Sequence, residues 1–377
     1  MILPALAGIL IIASVLWEAF EAVVLPRRAT RRFRITRMYY RASWIPWRWI
    51  ARRIRANKTR EAFLSFYGPL SLLFLFIFWA IGLVFGYAFL YYAASRHQHP
   101  PPNFMTCAYF SGSTIFTLGL GDIAPQGWAE RWLAVAESGL GFGFLALVFS
   151  YLPVIYQAFS RREVNIVLLD ARAGSPPTAA ELLRRHVGSD GMAQLQQLLH
   201  DWERASAEIL ESHISYPAVA YFRSQHDNES WLAAITAILD VSALLMASVE
   251  DACARQARLT FAMCRHTVVD IAQLFSATPR PADKDRLPPG ELRRLRESLL
   301  EAGFQLRESE AANTKLHKLR EMYDPYLQGL SRFLFMDLPP WILAKEITDN
   351  WRTSAWGRIS GFTTPVHEEV AIDDHGD

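Results

Sequence analysis

Cysteine is scarce in this 377-residue sequence, lysine is scarce beside arginine, and acidic residues are missing from whole stretches of it. Three cysteines, Cys107, Cys253 and Cys264, with no CxxC pair, exclude a disulfide framework and a zinc ribbon. Cys253 and Cys264 stand eleven residues apart, which returns them to nearly one helical face, and His266 is close in sequence. Buried structural thiols account for that spacing better than a metal site. No Walker motif, GxGxxG, nucleophile elbow or HExxH pair occurs, and His200, His213 and His226 form no ligand pair. The sequence therefore reads as a non-enzyme without a cofactor.

The charge is unevenly placed. Residues 1–160 hold 15 Lys and Arg against 6 Asp and Glu, whereas residues 161–377 hold 24 against 31, so the net +2 averages two opposite halves. Thirteen of the 39 basic residues lie between Arg27 and Arg60, where no acid occurs, and apolar runs flank that stretch. A basic face for nucleic acid would not be sandwiched in this way; a cytoplasmic loop between membrane spans would.

Three runs are long enough to cross a hydrocarbon core of about 30 Å at about 1.5 Å per residue. Residues 3–25 form the first. No positive charge precedes it, and Glu18 and Glu21 interrupt its end, which argues against a signal peptide. Those two glutamates, three residues apart on one face, need Arg27, Arg28 or another helix as partners. Phe63 to Ala94 carries no charge and forms the second run, and Trp132 to Phe159 forms the third, ending at Arg161-Arg162. Positive-inside logic places the N-terminus outside and the C-terminus in the cytoplasm. Between the first two runs, Trp44 to Arg55 interleaves tryptophan with arginine, as a helix lying among anionic lipid headgroups would.

Between the second and third runs, residues 103–116 are apolar but too short to cross, and Thr117-Leu118-Gly119-Leu120-Gly121-Asp122 follows at once. A half-helix that enters and leaves by one face fits this length, and extended backbone after it is tolerated only along a water-filled path. As a phosphate loop the hexapeptide lacks a third glycine and a following helix N-terminus. It resembles the selectivity filter of tetrameric potassium channels, whose usual form is TVGYGD.

That resemblance implies that carbonyls of Thr117, Leu118, Gly119 and Leu120 replace the hydration shell of K+, with Gly121 completing the strand and Asp122 at the external mouth. Leu118 stands where valine is usual, as in some two-pore-domain potassium channels. Leu120 replaces the usual tyrosine and removes the hydroxyl that braces the filter, so stiffness and potassium-over-sodium preference are the open quantities. Ser113, four residues before Thr117, replaces the glutamate that some members use against the filter aspartate. Ser113, Thr114 and Glu137 are the expected filter supports, Glu137 bonding near Ser113 or Thr114. Gly141 falls on the family's hinge offset, with Gly139 and Gly143 beside it, and Pro153 resembles an inner-gate kink. Close packing through small residues is the alternative for the glycines.

Beyond Arg162, residues 164–170 read as a short strand or a continued helix, and Ala173-Gly-Ser-Pro-Pro177 stops any helix. Thr178 can cap a helix from Ala179. Longer helical patterns cover about 190–212, 229–276 and 289–330. Residues 231–249 are apolar enough for a fourth span, but Asp240 in the middle favours the core of a soluble bundle.

The expected fold is all-α: transmembrane helices with a re-entrant pore loop, plus a helical cytoplasmic domain. Its parts are an N-terminal transmembrane helix (1–26), a basic linker (27–60), a pore domain (61–162), a cytoplasmic helical domain (163–345) and a tail (346–377). One pore loop per chain implies a homotetramer. The Arg bias, with Lys only 5 of 39, suggests a bacterial plasma (inner) membrane. A cytoplasmic ligand is open. The rivals to a potassium channel are a non-selective cation channel and a membrane-anchored signalling or binding protein with a non-conducting pore fold.

Overall fold

The computed structural model describes residues 2–24, 35–97, 100–188, 190–225, 228–249, 252–304 and 306–344. Arg27, Arg28, His226 and the tail 346–377 lie outside the described residues. Among the described residues all regular structure is helical.

The membrane half begins with α1 (Ile2–Ala19), which packs along α4 (Tyr67–Ala94). The contact needs small residues. A Cβ on Gly8 would lie 2.6 Å from the Gly86 carbonyl oxygen, and one on Gly86 would meet Ile12 at the same distance. Glu18 finds its partner in the next helix: its carboxylate accepts from the amides of Ile35 and Thr36 and from the Thr36 hydroxyl, at 2.8–3.0 Å. It thus satisfies orphan donors at the start of α2 (Ile35–Ala51). Glu21 accepts from Trp17 Nε1 at 2.7 Å.

The lipid-surface expectation for Trp44 to Arg55 changes here. The helix is α2, it ends at Ala51, and two of its three tryptophans face protein. Trp44 is 3% exposed and donates through Nε1 to the Phe333 carbonyl, Arg48 donates to the Arg332 carbonyl, and Trp47 stacks on Phe63 at 4.5 Å. Trp49 remains exposed. Only that side is left for a membrane surface, because an indole N–H satisfied by a backbone carbonyl needs no headgroup.

After α3 (Asn57–Ser65) and α4 comes the short α5 (Phe104–Ile115), capped by Asn103, whose Oδ1 accepts from the Thr106 amide at 2.8 Å. Next is α6 (Trp128–Ala173), 46 residues without a break. Residues 164–170 are therefore helix and not strand, and the passage from apolar to charged sequence at Arg161-Arg162 falls inside one helix. Gly174, at φ 83°, ends it.

The remaining helices form a bundle: α7 (Ala179–Arg184), α8 (Gly191–Ser215), α9 (Trp231–Ser248), α10 (Ala252–Phe275), α11 (Pro289–Glu301), α12 (Glu310–Glu321) and α13 (Asp324–Leu334). Thr178 Oγ1 accepts from the Glu181 amide and caps α7. The long patterns at 229–276 and 289–330 resolve into two and three helices. Their interruptions, near Val249, at 302–309 and at Met322-Tyr323, are short enough to hide inside an apolar rhythm.

Among the described residues four helices are long and apolar enough to cross a membrane: Ile2–Val23, Lys58–Ala94, Trp128–Ala173 and Trp231–Ser248. Of the residues of the fourth, 89% are buried by the rest of the chain, against 17% in the most apolar 18-residue stretch of Trp128–Ala173. On it, Asp240 takes both guanidinium nitrogens of Arg286 at 2.8 and 3.0 Å and the Tyr323 hydroxyl at 2.6 Å. α9 is the core of the bundle, and the paired charge on it is satisfied by protein.

Bundle and membrane half meet at Pro217–Tyr221 and Phe222. Arg162 on α6 donates to the carbonyls of Val219 and Phe222, and the Phe222 ring fills the space a Cβ on Gly68 of α4 would need.

Candidate pore segment

The Thr117–Asp122 segment follows directly from the C-terminal end of α5. The amides of Leu118 and Gly119 turn back to the Ser113 carbonyl, at 2.8 and 3.4 Å, and the Thr117 amide to that of Thr114 at 3.1 Å. Ser113 and Thr114 thus hold the segment through their backbone, while the Thr114 hydroxyl bonds the Phe110 carbonyl. With these donors used inside the chain, the carbonyls are the groups the segment has to offer.

The backbone angles alternate. Thr117, Gly119 and Gly121 have φ of 55°, 56° and 79°, whereas Leu118 and Leu120 are not left-handed. Glycine takes such angles without cost, but a β-branched residue there is strained by about 1–3 kcal/mol. Thr117 is the residue where that strain is held. Alternation of the two hands turns successive carbonyls toward one side, the arrangement a row of cation sites requires. Leu118 and Leu120 are each 61% exposed, and nothing lies within 4 Å of a Cβ at Gly119 or Gly121, so in a single chain this side of the segment is open.

Two braces hold the outer end. Tyr109 Oη donates to Asp122 Oδ2 at 3.0 Å. Glu130, in the first turn of α6, accepts from the amides of Gln126 and Gly127 and from Ser95 Oγ at 2.7–3.1 Å, tying the end of α4 to the loop after Asp122.

Behind α5, Glu137 is fully buried. It accepts from Ser111 Oγ at 2.5 Å and from Tyr91 Oη at 2.7 Å, joining α4, α5 and α6. Its partner on α5 is therefore Ser111, not Ser113 or Thr114, because Ser111 lies on the side of the helix that faces α4 and α6. Gly141 presses on the end of α5: a Cβ there would sit 2.3 Å from the Ile115 carbonyl oxygen. Gly139 and Gly143 have open space around them, and Pro153 is exposed within an unbroken helix. For Gly141 the packing alternative describes what the residue touches.

Sequence reasoning missed Tyr109, Ser111, Tyr91 and Glu130. Glu130 carried a signal, an acid three residues past Gly127 at a helix start; the others are ordinary polar residues in apolar helices, and only a buried carboxylate in need of donors points to them.

Residues 72–157 match the family model described as "Ion channel". The chain is 25% identical over 185 residues, 47% of its length, to the uncharacterized membrane protein YdjJ of Bacillus subtilis (strain 168), and spans about half, 52%, of that relative. It is 28% identical over 92 residues, 21% of its length, to protein LctB of Bacillus caldotenax, of which it covers 68%. No solved structure matches. With the apolar helices and the membrane-protein relative, the match supports a membrane protein that carries an ion channel domain: residues 72–157 are a domain of the pore-loop ion channel family.

Proposed function

We propose that four copies of the chain surround a potassium-selective pathway in a bacterial plasma membrane, with K+ held by the carbonyls of Thr117, Leu118, Gly119 and Leu120. The observation that carries this reading is the alternation of φ at Thr117, Gly119 and Gly121, together with amides already bonded to Ser113. One chain supplies one side of such a path, so the oligomer supplies the rest. Asp122 stands at the external mouth, where carboxylates concentrate cations.

In this reading α1 starts outside, the bundle is cytoplasmic, and the basic residues within 27–60 meet anionic lipid. Gating runs from the bundle to α6, bending it near Gly139, Gly141, Gly143 and Pro153 in response to a cytoplasmic ligand or stimulus. Arg162 supports this route, since it bonds the bundle's Val219 and Phe222 from within α6.

Leu120 favours a second reading, a non-selective cation channel, because it has no hydroxyl with which to brace the segment. Purified protein in liposomes with opposed K+ and Na+ gradients separates the two. Potassium-selective flux lost in Gly119→Asp is expected; a reversal potential giving a K+/Na+ ratio near one selects the second reading, and absence of flux from any preparation overturns both.

A further inference from the structure

Along its whole length α6 carries two opposite stripes. At about 100° per residue, the residues its own chain buries, among them Glu137, Gly141, Ile155, Arg162, Ile166 and Ala173, fall within about 60° of one another. Val135, Phe142, Phe149, Val164, Val167 and Leu168 are exposed and lie on the other side. The phase does not drift between the apolar part and the charged part.

Inside a bilayer an exposed apolar stripe faces lipid or another subunit. Beyond it, water is the alternative. The helix is 46 residues long, about 69 Å at 1.5 Å per residue, more than twice a hydrocarbon core of about 30 Å. Past Arg161 and Arg162 the stripe continues: Val164, Val167 and Leu168 are 55%, 46% and 62% exposed, and Ala171 is exposed in register. The spacing is i, i+3, i+4, i+7, no charged side chain interrupts it, and the opposite side of the same turns is already packed on the bundle through Ile166, Leu169 and Ala173.

We propose that Val164, Val167, Leu168 and Ala171 form a parallel seam with the same residues of further copies of this chain, carrying subunit association about 15 Å beyond Arg161. The occupant follows from continuity. These residues prolong, within one unbroken helix, the face of Phe142 and Phe149, which lies opposite the chain's own α5, so a helix that meets its copies there is carried in register to meet them again further along. The inference rests on the tetrameric reading above and adds to it a contact made in water, where burial of apolar surface drives association and small aliphatic side chains let helices approach closely.

Cysteine cross-linking of the full chain in isolated membranes tests it. The three native cysteines are buried and supply the background. Val164→Cys, Val167→Cys and Ala171→Cys are oxidised with copper phenanthroline beside Arg172→Cys, which lies about 90° round the helix from the middle of the seam, and Phe142→Cys within the membrane. Most of the chain is expected to move to a disulfide-linked dimer band at the three seam positions and at Phe142, with little at Arg172, while the detergent particle keeps the mass of four chains. Linking at Phe142 in a four-chain particle, without linking at Val164, Val167 or Ala171, overturns the seam and leaves the pore reading standing, the chain's own tail being then the cover to look for. Equal linking at Arg172 also overturns it, as chance collision. A single-chain particle with no linking anywhere overturns both.

Discussion

The phenol of Tyr109 and the carboxylate of Asp122 are joined at 3.0 Å, so the middle of the short α5 holds the outer end of the segment that follows it. This bond does for the segment what a hydroxyl at position 120 cannot, since Leu120 has none. Tyr109→Phe removes only the donor and keeps the ring. The expected outcome is a several-fold fall in the K+/Na+ permeability ratio, read from reversal potentials, with the amount of folded protein unchanged.

Glu137 separates two effects of one substitution. Gln keeps an oxygen for the Ser111 or Tyr91 hydroxyl, whereas Leu leaves the buried Tyr91 hydroxyl without an acceptor, at about 1–3 kcal/mol, and the Ser111 hydroxyl with the Val84 carbonyl alone at 2.9 Å. Glu137→Leu is expected to lower the thermal midpoint of the detergent-solubilised protein by several degrees and Glu137→Gln by much less, as followed by intrinsic fluorescence.

The three glycines of α6 divide by what surrounds them. Gly141→Ala places a methyl group against the Ile115 carbonyl, which is backbone and cannot turn aside, so the end of α5 shifts and flux is lost. Gly139→Ala and Gly143→Ala meet nothing within 4 Å and gain helix propensity of about 1 kcal/mol each. Those two are expected to raise stability and, by stiffening the bend, to lower flux less than Gly141→Ala does, and liposome flux with a melting curve for each variant checks the contrast.

His213 makes the bundle sensitive to acid. It is fully buried, its Nδ1–H donates to the Ile209 carbonyl, and Trp231 packs on its ring. Burial first, and then the nearby Arg162, bring its pKa down to about 3 from an ordinary 6.5. Between those values the unfolded chain binds a proton that the folded chain does not, so stability rises with pH and is lost as pH falls below about 6.5, by up to about 1.4 kcal/mol per unit. Urea titrations at pH 7.5 and 5.5 are expected to show that loss, and His213→Phe to reduce it.

Much of this architecture is legible in the residues. The chargeless run from Phe63 to Ala94, the basic stretch before it and the short apolar segment ahead of Thr117 are each set by what a bilayer tolerates, which leaves few alternatives. Partners across helices are less legible. Ser111 and Ser113 look alike in sequence, and which one meets Glu137 depends on how α5 is rotated against α4 and α6. Trp44 misleads for a related reason: tryptophan among arginines suits a headgroup layer, yet its indole N–H is equally satisfied by the Phe333 carbonyl, nearly three hundred residues away in sequence. The positive φ of Thr117 had no signal at all, because a β-branched residue is what propensity least expects there.

The unbroken run of α6 has a mechanical side. From Pro153 to Ala173 the helix extends about 30 Å at 1.5 Å per residue, and at its far end the bundle grips it. A sideways displacement of about 5 Å at Ala173 corresponds to a bend of only about 10° at Pro153, the one turn where the backbone lacks an amide to resist it. The bundle therefore has leverage: modest forces applied at Ala173 arrive at the Pro153 turn multiplied by the length of the arm.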